Sequence, residues 1–229
     1  MSSLNAESTT PGVALVTGAG SGMGRSTADA FLARGWTVLA VDVAPVDAAG
    51  SDGRLIPLVV DVRDRAAIES ALAEQLPALG GALHAVANVA GIYPPSTLDT
   101  YTAELFHKVF DVNVLGVLNV MAAAVPYMPE GSGIVNFASV DGFVVSPGQL
   151  VYGASKAAVV MITKATALEL APRGIRSTPS LRAGSPPRAT PPPAGWRPPL
   201  RASRWAEWRS HPRSPSGSGC SPVVAPPPS

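Results

Sequence analysis

The sequence predicts an α/β fold built on a doubly wound parallel sheet, and three observations carry that expectation. Short apolar runs without polar alternation recur along the first 176 residues, as strands buried on both faces do. Helix-like stretches separate them, in the order expected of right-handed crossover connections. A glycine-rich turn, Thr17-Gly18-Ala19-Gly20-Ser21-Gly22-Met23-Gly24, closes the first run and opens the first helix. At 229 residues, 46% of them hydrophobic and 14% charged, the chain can fill the core of one domain.

Each element has its own justification. Residues 13–17 are an apolar run reaching the glycine turn, and a helix follows over about 22–34. Residues 36–42 form a second buried run ending on Asp42, and 55–61 a third ending on Asp61. Asp64 can cap the next helix, which puts Ile68, Leu72 and Leu76 on one face. Residues 83–89 are a fourth strand, closed by Ala90-Gly91. A long helix is expected over 103–125, stopped by Pro126, then a fifth strand over 133–139. A last helix over 151–170 is stopped by Pro172.

After Arg176 the pattern fails. The 53 residues that follow hold 14 of the 24 prolines and three of the four tryptophans, with no apolar periodicity. They cannot bury enough surface to offset their ordering entropy, so a disordered tail is expected over 177–229. The predicted organisation is a flexible start over 1–10, an incomplete domain over 11–176, and this tail. The net charge of +1 hides an asymmetry: −5 over residues 1–176 against +6 over the tail. The tail's arginines lack the interleaved order of a nucleic-acid surface, so no nucleic-acid partner is expected. No apolar run of membrane-spanning length is present and the start is polar, which argues against a membrane or a secretory leader. A lone Cys220 excludes an internal disulfide framework and suits a reducing cytoplasm. His84, His107 and His211 lack metal-ligand spacing, so no metal is expected.

A strand that ends in glycines and opens a helix brings backbone N–H groups and the helix dipole against a pyrophosphate. Gly18 permits the sharp exit, while Gly22 and Gly24 let phosphates and the helix approach closely. Alone, such a turn is an ordinary surface loop; its place between a strand and a helix gives it meaning. Asp42 lies 18 residues past Gly24, the range in which a carboxylate meets the ribose hydroxyls and repels a 2′-phosphate. Ser21 rather than a basic residue precedes Gly22, and Val43-Ala44 follow Asp42, which favours NAD over NADP. Arg25, beside the turn, runs against that preference.

Tyr152 and Lys156 are four apart and share a helix face. An ammonium near a phenol favours the phenolate, so Lys156 is expected to lower the Tyr152 pKa and make it a general acid and base. A Tyr-x-x-x-Lys pair alone is usually just helix surface. Here Ser139 stands 13 residues upstream at a strand end, placed to donate to a substrate oxygen, and Asn113 can hold a water that relays protons to Lys156.

Together these residues resemble the short-chain dehydrogenase/reductase family, in its classical subgroup, over residues 13–176. The family's Thr-Gly-x-x-x-Gly-x-Gly fingerprint is Thr17 to Gly24, and its Asn-Asn-Ala-Gly motif appears as Asn88-Val89-Ala90-Gly91 with Val89 for the second Asn. The resemblance implies a Rossmann-like fold and places the catalytic tetrad on Asn113, Ser139, Tyr152 and Lys156. It implies cofactor contacts from Thr17, Gly18, Ser21, Gly22, Met23, Gly24 and Asp42, and from Asp61 and Val62 at the adenine. Asn88, Ala90, Gly91, Tyr152 and Lys156 complete that set. It further implies hydride transfer between NAD(H) and a secondary alcohol or ketone, and pairing of two copies through the helices over 103–125 and 151–170. Phe143, Val144, Val145, Leu150 and the Tyr93-Pro94-Pro95 loop point to a hydrophobic substrate.

The family continues past Arg-Gly-Ile-Arg with a sixth strand and a loop over the nicotinamide, whereas here Arg173-Gly174-Ile175-Arg176 meets Ser177-Thr178-Pro179-Ser180. The expectation is a sheet truncated after the fifth strand and its helix, leaving that strand an open edge. A cofactor-binding remnant of impaired activity is then the alternative function. Back-translated from Arg176 as CGG TCA ACG CCG TCG CTC CGG GC, with one base restored after the first CG, the stretch reads Arg-Val-Asn-Ala-Val-Ala-Pro-Gly. That is the family's continuation, so the tail is hypothesised to be the product of a one-base frameshift. Sequencing the gene tests this, and a gene in which no single-base change restores that continuation refutes it.

Overall fold

The computed structural model of the chain describes residues 11–180. The start over 1–10 and the tail from 181 onward, with Cys220 and His211, lie outside the described residues. Six parallel strands form one sheet in the order β3-β2-β1-β4-β5-β6. They are β1 (Val13–Thr17), β2 (Thr37–Asp42), β3 (Leu55–Val59), β4 (Ala85–Asn88), β5 (Gly133–Phe137) and β6 (Arg176–Ser180). Helix α1 (Gly22–Leu32) joins β1 to β2, and α2 (Arg65–Gln75) joins β3 to β4. Helices α3 (Ala103–Phe110) and α4 (Gly116–Ala124) precede β5, and α5 (Leu150–Leu170) precedes β6. The strand order reverses between β1 and β4, which opens the crevice at the carboxyl ends of the strands where such sheets bind ligands.

The two faces of the sheet feed two cores. On one, Leu15, Leu39, Val86 and Ile134 meet Ile68 and Leu72 of α2, Val117 and Met121 of α4, and Val159 and Val160 of α5. On the other, Val16, Val38, Ala40 and Ala87 pack with Ala28 of α1. Alternate residues of one strand serve opposite cores, which is why the strands read as unbroken apolar runs. The capping expected of Asp64 is present: its side chain accepts from the Ala67 N–H at 3.0 Å. His84 has a structural place, its Nδ1 accepting from the Val13 N–H at 3.2 Å between β1 and β4.

The long helix differs from expectation at its centre. A π-helical segment, Asp111–Leu115, interrupts it, and Asn113 sits inside that wider turn. Extra turns of this kind inside an α-helix recur at functional sites. The stretch Ala103–Tyr127 is long and apolar enough to cross a membrane, yet half of its most apolar window is buried within the fold. It carries the buried Asn113 and Asn119, and it is a core helix of this sheet.

The sheet also runs one strand further than the sequence predicts. Residues 177–180, assigned to the tail by the sequence pattern, join Arg176 to form β6, and β5 is therefore not the edge. Pairing uses main-chain groups, so a polar strand suffices once the chain is delivered to the right place. That delivery is made by Gly174 at φ +65°, by its carbonyl accepting from the Gly131 N–H at 3.0 Å, and by buried Ile175. Arg173 Nη2 adds bonds to the carbonyls of Val125 (3.0 Å) and Met128 (3.1 Å). Arg176 N–H donates to Ser132 at 3.0 Å and the Ser180 carbonyl accepts from Ala138 at 3.1 Å, so residues 176, 178 and 180 face β5. Pro179 falls out of phase with them, and the N–H it lacks belongs to the side that no described strand covers. Thr178→Pro should therefore cost about 1–3 kcal/mol in denaturant unfolding, the price of a broken ladder. Pro179→Ala should change stability by less than about 0.5 kcal/mol; equal effects at both positions would contradict this register.

Candidate active site

The glycine turn is held from below by Thr17, whose Oγ1 accepts from the N–H groups of Val89 and Ala90, both at 3.0 Å. This joins the end of β1 to the segment after β4 across the reversal in strand order. Gly18 (φ +67°) passes so close to that segment that a Cβ would lie 3.0 Å from Ala90 Cα. At Gly24 a Cβ would lie 1.9 Å from the Gly18 carbonyl oxygen, so only glycine lets α1 start here. Nothing lies within 4 Å of the missing Cβ of Gly22, whose φ of +51° is left-handed, so the space above it is open. Ser21 occupies the N-cap position of α1 without a side-chain cap bond, and Met23 is exposed. A cleft of about 770 Å³ lies against Gly22 and Met23, bordered also by Phe31, Phe137 and Ser180.

Asp42 closes β2 beside the turn. Its Oδ2 accepts from the Gly20 N–H at 2.9 Å and its Oδ1 from the Ala44 N–H at 3.1 Å, which fixes the carboxylate. Arg25 is turned to other partners, Asp29 Oδ1 at 2.9 Å and the Asp47 carbonyl at 2.6 Å. Asp61 lies past the end of β3, where Arg63 grips its carboxylate and holds its pKa below the ordinary aspartate range. Val62 is buried against Gly116, where a Cβ would come within 2.7 Å of it. Asn119 of α4 donates to the carbonyls of Val62 (3.1 Å) and Arg63 (3.0 Å) and so fixes this loop. Sequence reasoning missed Asn119, since an Asn in an apolar helix carries no sign of its partner.

Asn88 Nδ2 donates to Asn136 Oδ1 at 2.8 Å, and Asn136 Nδ2 to Thr163 Oγ1 at 3.0 Å. A buried polar ladder therefore crosses β4 and β5 into α5. Val89 contributes its main-chain N–H to Thr17 and no side-chain donor, and Asn88 Oδ1 has no protein partner among the described residues.

Tyr152 and Lys156 share one side of α5, with Nζ 5.8 Å from the phenol ring centroid. Lys156 is 5% exposed and donates to the Phe137 carbonyl at 2.7 Å, tying α5 to the end of β5. Burial lowers its pKa from an ordinary 10.5 to about 8. Asn113 clamps the peptide of Ile92, its Oδ1 accepting and its Nδ2 donating at 2.8 Å each, and donates to Ser155 Oγ at 3.1 Å. At Gly91 a Cβ would lie 3.2 Å from Asn113 Oδ1 and 3.5 Å from Lys156 Nζ, so the bare Cα leaves a gap between them.

The phenol departs from expectation. Its pKa is raised, not lowered. Burial is the main cause; Ser139 beside it pulls the value down, while the charge of Asp141 and the nearby Tyr93 push it up. The Lys156 ammonium is desolvated and bonded to the Phe137 carbonyl. The sequence also gave no warning of how the Ser139 turn docks on α5. A Cβ on Gly142 would lie 2.9 Å from the Lys156 backbone carbon, and one on Gly153 3.0 Å from the Asp141 carbonyl oxygen. Tyr93 meets the Tyr152 ring edge to face, centroids 6.2 Å apart. Among the described residues no cluster of metal ligands occurs.

The profile of the short chain dehydrogenase family matches residues 12–179, the same span that builds this crevice. The chain belongs to that family. It is 39% identical over 173 residues to a 3-oxoacyl-acyl-carrier-protein reductase of Thermotoga maritima, covering 72% of this chain and 70% of that one. It is 35% identical over 170 residues to a 3-alpha-(or 20-beta)-hydroxysteroid dehydrogenase of Mycobacterium tuberculosis, covering 72% and 65%. The ligand-free aldohexose dehydrogenase of Thermoplasma acidophilum superposes with a TM-score of 0.70 at 26% identity, covering 76% of this chain and 66% of that one. The chain thus spans about two thirds of the length of these relatives. As a short-chain dehydrogenase it is an oxidoreductase by family, with a site for NAD or NADP.

The burial of Lys156 has a measurable signature. Its folded pKa near 8 lies below the ordinary 10.5, so through that window the unfolded chain binds more protons than the folded one. The stability of the short-chain dehydrogenase should therefore rise with pH. Relative to Lys156→Met, the parent should gain about 2 kcal/mol in urea unfolding between pH 8 and 10; parallel curves would contradict it.

Proposed function

We propose that this chain interconverts a secondary alcohol and a ketone with NAD(H), using Tyr152 as general acid and base. The observation that supports this reading is that Asn113 and Lys156 meet at Gly91, with the Tyr152 ring beside Lys156 and Ser139 beside Tyr152. The turn fits a pyrophosphate: Gly18 and Gly24 leave no room for side chains, and Gly22 has open space outside. Asp42, its carboxylate fixed by two N–H groups, suits ribose hydroxyls and disfavours a 2′-phosphate, while Arg25 is engaged elsewhere. NAD is therefore favoured over NADP. Bound NAD(H) supplies or accepts the hydride.

In reduction, Tyr152 donates its proton to the carbonyl oxygen, which Ser139 also faces. The raised phenol pKa keeps that proton in place at neutral pH. Lys156 stabilises the phenolate left behind, and a water in the gap beside Gly91 would return the proton between Asn113 Oδ1 and Nζ. The exposed Tyr93, Phe143, Val144, Val145 and Leu150 favour a hydrophobic substrate, and the Mycobacterium relative is named for hydroxysteroids. Phe106, Leu115 and Leu118 on the α3–α4 stretch and Met161 and Leu168 on α5 are exposed too, which supports pairing of two copies through these helices. The lone cysteine supports a cytoplasmic setting.

A second reading is a cofactor-binding protein of weak turnover. It is favoured by the end of the family match at residue 179 and by the polar, proline-bearing β6. Titration calorimetry with NADH and NADPH, beside assays of secondary alcohols with NAD, separates the two. NADH should bind more tightly than NADPH, and Tyr152→Phe should bind NADH like the parent while losing about 10²–10⁴-fold in turnover. Equal rates would remove Tyr152 from the mechanism. Binding without turnover in the parent selects the second reading. Sedimentation velocity on the same samples should give twice the chain mass.

A further inference from the structure

The start of α5 is completed by a residue from outside the helix. The first N–H groups of a helix have no partner within it, and Gln149 at the N-cap supplies no side-chain bond. Ser96, 55 residues from Val151 in the chain and 1% exposed, takes the first two instead. Its carbonyl accepts from the Leu150 N–H and its Oγ from the Val151 N–H, both at 3.1 Å. Its own N–H donates to the Gly148 carbonyl at 2.8 Å, and it pairs with Gln149 in an isolated parallel bridge. One buried residue thus holds the turn that leads into Tyr152. The segment carrying Ser96 is fixed at its other end by Asn113, which clamps the Ile92 peptide from both sides and reaches Ser155 Oγ. Ser155 Oγ in turn donates to the Tyr152 carbonyl at 2.7 Å.

We propose that Ser96 is a positioning residue for the reaction: its hydroxyl closes a ring of contacts that holds the first turn of α5, and with it the Tyr152 phenol, in register with the segment 92–96. This deepens the oxidoreductase reading above and rests on it. The ring runs from Ser96 through Val151 and Tyr152 to Ser155, then through Asn113 to Ile92 and back along the chain. Its return arm is stiff, because Pro94 and Pro95 fix their own φ angles. Tyr93 on that arm meets the Tyr152 ring edge to face, so arm and phenol touch directly. Tyr152 is the third residue of α5, and a helix start that frays carries the phenol with it. Reacting groups tolerate little of this, since a misplacement of about 1 Å costs about 10²-fold in rate. Ser96 acts through the main chain of α5, unlike Ser139, which stands beside the phenol.

The test is Ser96→Ala in the full chain. Alanine removes Oγ alone and keeps the main-chain bonds of residue 96, so the segment stays attached while the helix start loosens. Amide hydrogen exchange across residues 150–153 should quicken about tenfold, the size of a lost cap. Calorimetry should still give one NADH per chain with the parent's Kd, while kcat for a ketone falls about 10–100-fold. Partial unfolding would lower the NADH stoichiometry together with the rate, so a constant stoichiometry tells positioning from lost fold. Thr100→Ala is the control: it removes the 2.9 Å bond from the Thr97 N–H to Thr100 Oγ1, beside Ser96, and should change neither readout. Unchanged exchange in Ser96→Ala overturns the proposal, as does faster exchange with kcat intact. An equal effect of Thr100→Ala also overturns it, by assigning the change to the loop at large. Should Ser96→Ala not fold, Ser96→Cys supplies a weaker acceptor and carries the same direction of change. Exchange needs no turnover. A parent that reduces no ketone therefore counts against the oxidoreductase reading, while exchange at residues 150–153 alone upholds or overturns the hold of Ser96 on the helix.

Discussion

The bond from Lys156 Nζ to the Phe137 carbonyl is the constraint on which the site depends. It fastens the face of α5 that carries Tyr152 to the last residue of β5, two positions before Ser139. Burying an ammonium there is costly, as its depressed pKa shows. The bond to the carbonyl offsets part of that cost, and the same contact sets the distance between strand end and helix. Gly142 and Gly153 then close the remaining space, since a single methyl at either would part the turn from the helix. Nothing in the site is placed by one residue alone.

A second fastening runs deeper. Thr17 joins β1 to the segment after β4, and Asn88, Asn136 and Thr163 join β4, β5 and α5 in one buried line. The two halves of the crevice, glycine turn and Tyr152 helix, thus hang on a shared polar framework inside an apolar sheet. Such framework bonds gain strength from their surroundings and become correspondingly expensive to break. Asn119 and Gly116 do a related task for the loop bearing Asp61 and Val62.

Much of this was legible in the residues. The buried strands announce themselves by length and apolarity, and β1 starts and stops where the pattern says. Asp64 reads as a cap because its side chain acts on its own neighbours. What could not be read is what depends on distant partners. The π-helical turn at Asn113 answers to Ile92 and Ser155, 21 and 42 residues away. The Tyr152 pKa goes the opposite way to the two-residue argument because burial, with Asp141 and Tyr93, outweighs the Ser139 hydrogen bond. Asp141 stood two residues from Ser139 and could have been noticed; its effect on the phenol needed the fold. β6 was missed for another reason: composition describes side chains, and a strand can be recruited through main-chain groups alone.

The position of Pro179 reaches beyond the single molecule. A sheet boundary is where one protein can be extended by the backbone of the next, and the outward row here includes a ring where a donor would stand. Add-on strands need an uninterrupted row of partners to register. Along the outer strand of the described sheet Pro179 therefore leaves a gap in the row of donors, which a neighbouring backbone pairing there would have to skip, and this residue takes no part in the chemistry of the crevice.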